Sequence, residues 1–380
     1  MSRVFMVAAR RTVISPKGGA LAPHSFHALA AQVARAVLAD AHMETAQVEG
    51  LLLGNALAAG GNPARLVALA LEPSGSMPAW SIDTQCCSGL DAIALAADRI
   101  RSGSAHVLLA GGAESASQAP RRASRTAGID AGWAAYDEAD FTPWPDQEPS
   151  MVEAARALSD QLGDPHAEHA WAVRSHARAR AARHPERLAV GLAEGRHTRD
   201  TFTRALSLQA CQRAAHHPIH NPTTMAPLAD GAAMVLLMSA HALHARGIPV
   251  CEVLSSCQVG GDPFTPGLST AALRDWLDHL RAEHGEPDCV ELMESFAAQA
   301  LLNTQALGLE PDRVNMDGGL LAMGHPIGAS GAVLAARLHH RLGPEQWGVA
   351  LIPAAGGLAS GLALRGLDPL GACGPGGLEP

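Results

Sequence analysis

The stretch SGLDAIALAADRIRSG (88–103), followed by VLLAGGAESAS (107–117), returns near the far end of the chain as SGAVLAARLHHRLG (330–343), followed by VALIPAAGGLAS (349–360). In both copies a small-residue turn opens an Ala/Leu-rich helix. A short polar link then leads back to an apolar strand ending in Gly-Gly. Two elements repeated in one order indicate a duplicated α/β unit. Outward from the first copy, strand-like and helix-like patterns alternate: strands over 2–8, 48–56, 79–83 and 106–111, and helices over 25–41, 62–71 and 88–102. That alternation predicts an α/β fold with a covered sheet.

The segment 119–225 changes character, with a long Ala/Arg/His helical stretch over 164–183 and few β-like runs, and reads as an insertion lying over the first half. The strand pattern resumes in PLADGAAMVLLMS (227–239), where Asp230-Gly231 predicts a turn before it. The expected organisation is therefore a first half over 1–118 with 226–248, an inserted loop domain over 119–225, a second half over 249–366, and a mobile Gly/Pro-rich tail over 367–380.

Composition narrows the function. The chain has 380 residues, a formal charge of -9 and 3% aromatics, which argues against nucleic acid as a partner. Its seven cysteines are odd in number and show no CxxC spacing, the usage of a reducing compartment, so a cytoplasmic protein is expected. No window reaches the roughly 18 apolar residues of a membrane span, and the opening MSRVFMVAAR reads as a strand, not a signal peptide. Arginines cluster between Arg174 and Arg204, as solvated helix faces or as phosphate contacts. His216, His217, His220, His339 and His340 lack the Cys or carboxylate that would complete a metal site, and none is expected.

Two loops carry reactive groups. In DTQCCSGL (83–90), Cys86 stands where a strand gives way to a helix, and the positive end of that helix would lower a thiol pKa. Alone, such a cysteine is usually packing. In MDGGLLAMGHPIGASGA (316–332), His325 precedes the matching helix of the second copy. Pseudo-symmetric halves would bring these loops together as a Cys/His pair able to activate a nucleophile.

QCCSGL, GGAESAS, LADGAA, ESFAAQA, GHPIGASG and AAGGLASG, with NPAR at 62–65 and GGDP at 260–263, occur in the order and approximate spacing of the thiolases. The chain resembles that family over about 4–364. The resemblance implies two βαβαβαββ halves in an αβαβα five-layer arrangement with an inserted loop domain. It also implies Cys86 as the acylated nucleophile, His325 facing its sulfur, and the backbone N–H groups of Cys86 and Ala355 as an oxyanion hole. Thr224, Met225 and Ala226 stand where the family has a small-residue turn, and are candidate contacts for the thioester arm. No permanently bound cofactor is implied. The donor is an acyl-CoA or the pantetheine of an acyl carrier protein, and the assembly a homodimer or tetramer.

Two positions depart from the family pattern. Met293 replaces the asparagine of the Asn-Glu-Ala-Phe motif, and Pro353 replaces the second cysteine. A positioned acid-base group typically supplies about 10² to 10⁴ in rate, and proline has none. The expectation is an acyltransferase that loads Cys86 but does not carry out ordinary non-decarboxylative condensation. A thioester hydrolase and a non-catalytic thiolase-like subunit are the alternatives.

Overall fold

The structure, a computed structural model, describes residues 3–368 except 59, 73–74, 126–131, 137, 145, 147–149, 189, 193–194, 218–219, 244–249 and 266. Most of the expected tail 367–380, from 369 onward, lies outside the described residues.

The first half supplies β1 (Val4–Thr12), β2 (Gly50–Gly54), β3 (Ala79–Ile82), β4 (Val107–Ser115) and, after the insertion, β5 (Ala229–Ser239). The second supplies β6 (Val250–Gly260), β7 (Cys289–Leu292), β8 (Trp347–Pro353) and β9 (Leu358–Leu367). These strands lie in the order β7-β8-β9-β6-β1-β5-β4-β2-β3. β2 runs parallel to β4 and β7 parallel to β8, while β5 and β9 are antiparallel to those neighbours. The order β2-β4-β5-β1 is thus repeated as β7-β8-β9-β6. The halves join where β1 meets β6 through Phe5↔Glu252 and Met6↔Cys251.

Both faces of each half-sheet are covered, which is why the strands read as continuous apolar runs. Leu52, Leu108 and Ala110 turn inward onto α3 (Ser88–Arg101) and α10 (Ser330–Arg341), the paired helices of the repeat. Leu51, Leu53 and Leu109, alternating with them, face outward onto α1 (Phe26–Asp40) and α2 (Pro63–Leu71). On the second half, Val290, Leu292, Val349 and Leu351 face α7 (Arg274–His284) and α8 (Ala297–Ala306). The five layers are therefore αβαβα, as the resemblance implied. Local chemistry sets the helix starts: Ser25 accepts from Ala28 N–H, and Asn62 accepts from Arg65 N–H with Pro63 in the first turn.

Two local expectations are corrected. β4 does not stop at Gly111 but runs to Ser115, and Asp230-Gly231 lie inside β5, paired with Ser115 and Glu114, rather than in a turn. The Asp230 carboxylate replaces a turn's function by accepting Ser117 N–H at 2.9 Å and its hydroxyl at 2.5 Å. The insertion includes α4 (Met151–Leu162), α5 (Pro165–Ala181) and α6 (Leu208–Ala214), together with a hairpin of Arg122–Arg125 and Trp133–Tyr136.

The insertion leans on the second half more than on the first. α5 packs on α8 and α9 (Leu320–Met323), and α4 packs on α8. Trp171 Nε1 (2.9 Å) and Ser175 Oγ (2.7 Å) donate to the buried Glu294 carboxylate. Among the insertion's ties to the first half is Arg11, wholly buried, which donates to Glu186 at 2.9 Å and to Asp200 at 2.8 Å. Burial alone would push the Asp200 carboxyl up, yet Arg11 overrides it and holds it at about 2.

Candidate active site

The turn before α3 is built to present one side chain. Asp83 accepts Gln85 N–H at 3.0 Å, and Gln85 takes a left-handed conformation (φ 56) that a residue with a Cβ rarely adopts. Ser88 Oγ accepts Thr84 N–H and donates to Gln85 O. Asp91, buried in the first turn of α3, accepts from Thr84 Oγ1 at 2.5 Å and from Ser360 Oγ at 2.6 Å, tying the turn to β9 of the other half. Cys86 follows directly, inside a short 3₁₀ turn (Gln85–Cys87) instead of on the helix itself.

Cys86 Sγ lies 3.2 Å from His325 Nε2. The two loops that the repeat pairs in sequence therefore meet in space. His325 is held on three sides: its N–H donates to Pro227 O, its carbonyl accepts from Ala229 N–H, and Nδ1 lies 2.7 Å from Ser330 Oγ. With Nδ1–H donated to Ser330, the Nε2 lone pair faces the thiol. Cys87 points elsewhere and donates its thiol to Ile352 O at 3.4 Å.

Burial reverses one sequence expectation. The start of α3 was expected to lower the Cys86 pKa, but burial pushes the thiol up to about 12, and the N–H groups of Ala355 and Cys86 only partly oppose it. Burial also takes His325 down to about 4. Between those values the resting pair is thiol and neutral imidazole, not thiolate and imidazolium. Iodoacetamide is therefore expected to label Cys86 slowly at neutral pH, with the rate rising about tenfold per unit as pH climbs toward the thiol's value. Fast labelling that levels off below pH 7 would contradict a desolvated thiol.

The departures sit in the same core. Met293 is wholly buried; its N–H donates to Leu351 O and its carbonyl accepts Gln299 Nε2, so only an apolar thioether is offered to the site. Pro353 ends β8, and the chain then turns through Ala354 and Ala355 into two left-handed glycines, Gly356 (φ 73) and Gly357 (φ 77). That turn leaves the Ala355 N–H free for the Cys86 sulfur.

The loop 224–226 lies across the Met293-Glu294-Ser295-Phe296 segment, with Ala226 N–H donated to Ser295 O and Thr224 O accepting Ala297 N–H. Thr224 is buried and its hydroxyl donates to Asn221 O. Of the three candidate arm contacts, Met225 is the least enclosed. Several arginines proposed for phosphate are occupied by protein: Arg174 donates to Pro311 O, Arg178 to Val314 O and Asp312, Arg187 to Asp200 and Arg204 to Phe202 O. Among the described residues no group of three His, Cys, Asp or Glu is placed to hold a metal ion, and no helix is long and apolar enough to cross a membrane.

Sequence reasoning passed over Glu114, Asp91, Ser330 and Ser360. The signal was present for the first two, each an acidic residue in an otherwise apolar or small-residue run, a pattern that buried polar partners explain.

Two family models divide the chain much as the repeat does: the thiolase N-terminal domain matches residues 4–241 and the thiolase C-terminal domain residues 248–365. The chain belongs to the thiolase family. An acetyl-CoA acetyltransferase of Pseudomonas aeruginosa is 33% identical, covering 96% of this chain and 99% of that protein. The cytosolic acetyl-CoA acetyltransferase of Rattus norvegicus is 29% identical over 95% of this chain and 98% of that one. Among solved structures, the acetyl-CoA acetyltransferase of Bacillus anthracis superposes with a TM-score of 0.86 at 26% identity, covering 97% of this thiolase and 99% of that chain. The Acat5 thiolase of Ascaris suum, solved in complex with coenzyme A, also gives 0.86, at 25% identity, covering 96% and 100%.

Proposed function

We propose that this thiolase is an acyltransferase that takes an acyl group from acetyl-CoA or a related thioester onto Cys86 and passes it to an acceptor without ordinary condensation. The observation that carries the reading is the Cys86–His325 contact, 3.2 Å between a buried thiol and a buried imidazole, with two backbone N–H groups at the sulfur. In the loading step the thiol proton passes to His325 Nε2 as Sγ forms its bond to the thioester carbon. The oxyanion so formed is held by the N–H groups of Cys86 and Ala355, each worth roughly 3 to 4 kcal/mol where such donors have been removed. The intermediate collapses by breaking the bond to the leaving thiol, whose sulfur takes the proton back from His325.

The acceptor half differs from that of an ordinary thiolase. Proline at position 353 offers no proton, Met293 offers no polar contact, and the thiol of Cys87 is directed to Ile352 O. Acceptors that need no deprotonation at carbon by the enzyme fit this site: an amine, a hydroxyl, a carbanion released by decarboxylation, or a readily ionised carbon acid. The names of its relatives favour coenzyme A over an acyl carrier protein as the donor's carrier. Half-exposed Trp80 on the outermost strand β3, with Leu66 and Leu69 of α2 and Leu95 of α3, supports a homodimer through that edge. Free cysteines and the absence of a long apolar helix among the described residues support a cytoplasmic protein.

Mass spectrometry after incubation with acetyl-CoA tests the reading. The expected result is an acetyl adduct on the peptide carrying Cys86, with negligible acetoacetyl-CoA. No adduct with any thioester would leave a non-catalytic subunit, rapid loss of the adduct to water a hydrolase, and rapid acetoacetyl-CoA formation an ordinary thiolase.

A further inference from the structure

We propose that Glu114 is a positioning residue, whose carboxylate clamps the loop carrying His325 onto the first half and so keeps the imidazole on Cys86. This rests on the reading of Cys86 and His325 as the reacting pair. Glu114 lies near the end of β4 with 1% of its surface exposed. Its Oε1 accepts from Asn55 Nδ2 at 2.8 Å and Leu57 N–H at 3.1 Å; its Oε2 accepts from Ala56 N–H at 3.0 Å and Gly328 N–H at 3.0 Å. The first three donors belong to the first half. The fourth belongs to the second half, three residues beyond His325.

The carbonyl of the same residue is gripped as well. Gly328 O sits among three glycines of the first half, so close that a Cβ on Gly54 or on Gly89 would lie 2.7 Å from it, and one on Gly112 closer still. A Cβ on Gly328 itself would meet Glu114 Oε2 at 2.8 Å. The remaining anchors of His325, Ser330 on α10 and Pro227 and Ala229 at the start of β5, orient the ring and its backbone. Pro227 and Ala229, also of the first half, hold the backbone of His325 itself, and Glu114 is the side chain that binds the loop to the first half three residues further on, at Gly328.

A buried carboxylate is costly unless its oxygens are satisfied, and N–H donors to a charged acceptor make stronger bonds than neutral pairs. Burial pushes the Glu114 carboxyl up to about 7, against the pull of the Ala56, Gly328 and Leu57 N–H groups. An apolar side chain packing there would avoid that cost but, having no acceptor, could not draw Gly328 to the first half.

The test compares Glu114→Ala and Glu114→Gln in the full chain by deuterium uptake of residues 324–331 and by acylation of Cys86 from acetyl-CoA. In Glu114→Ala the uptake of that segment rises, and acylation slows about 100-fold, the cost of a misplacement near 1 Å. Half-saturation by acetyl-CoA stays within about twofold, since the loss falls on the reacting geometry and not on binding. Glu114→Gln, which keeps one acceptor oxygen for Gly328 but loses the other and the charge, restores most of the protection and leaves acylation about three- to tenfold slower than in the parent. Parental uptake over 324–331 in Glu114→Ala, or parental acylation by that variant, overturns the proposal. If Glu114→Ala does not fold, Glu114→Gln decides alone: an unchanged acylation rate overturns the proposal, and a slower one at unchanged half-saturation supports it. Should the parent acquire no acyl group at Cys86, the reaction assigned above falls, while deuterium uptake still decides whether Glu114 holds the loop.

Discussion

Cys86→Ala is expected to abolish acyl loading, and His325→Ala to slow it by about 10² to 10⁴ while leaving thioester binding nearly unchanged. The reason is the protonation state of the pair. With the thiol pushed up to about 12 and the imidazole down to about 4, the sulfur at neutral pH is a poor nucleophile unless its proton is accepted as the new bond forms. Nε2 at 3.2 Å is the acceptor in reach. Removing His325 leaves the thiol with the two backbone donors and no base. Quenched mass spectrometry of the Cys86 peptide reads both variants. An adduct in Cys86→Ala at the parental rate would place loading elsewhere, and a His325→Ala variant within tenfold of the parent would mean that the thiol ionises without it.

Pro353→Cys is expected to raise acetoacetyl-CoA formation from acetyl-CoA by about 10² or more, the contribution of a positioned acid-base group. Position 353 ends β8 two residues before Ala355, whose N–H reaches the Cys86 sulfur, so a thiol introduced there stands in the segment that already contributes to the site. The turn beyond it is held separately, by Ala354 N–H donated to Leu358 O at 2.8 Å, which confines the change. Product measured by mass, alongside continued loading of Cys86, is the readout. Unchanged condensation in a variant that still loads would show that Pro353 is not what limits that step, and would move attention to Met293→Asn.

Much of the architecture was legible because it is written in local periodicity. The helix Ser88–Arg101 and its counterpart Ser330–Arg341 each carry a small-residue start and an Ala/Leu body, and the strands between outer and inner helices are apolar on both faces. Where the reading failed, the deciding contact came from far along the chain. Asp230-Gly231 resembles a turn locally, yet it is paired with Ser115 and Glu114. The arginines of α5 resemble a solvated or phosphate-binding face, yet Arg178 caps the chain at Val314 and Asp312. Trp171 and Ser175, one turn apart on that polar helix, are spent on Glu294 in the second half.

The sequence by itself determined the duplicated halves, the family, and the pairing of the Cys86 loop with the His325 loop, because these follow from residue order and spacing. It also determined what is missing, since no packing can give Pro353 a transferable proton. Only the tertiary structure decided the charge state of the pair, the side on which the insertion rests, and the junction at which Glu114 meets Gly328. Each of these depends on desolvation or on contacts between residues more than a hundred positions apart. Such quantities are properties of the folded surroundings, and a helix start that would favour a thiolate in water yields to a core that excludes it.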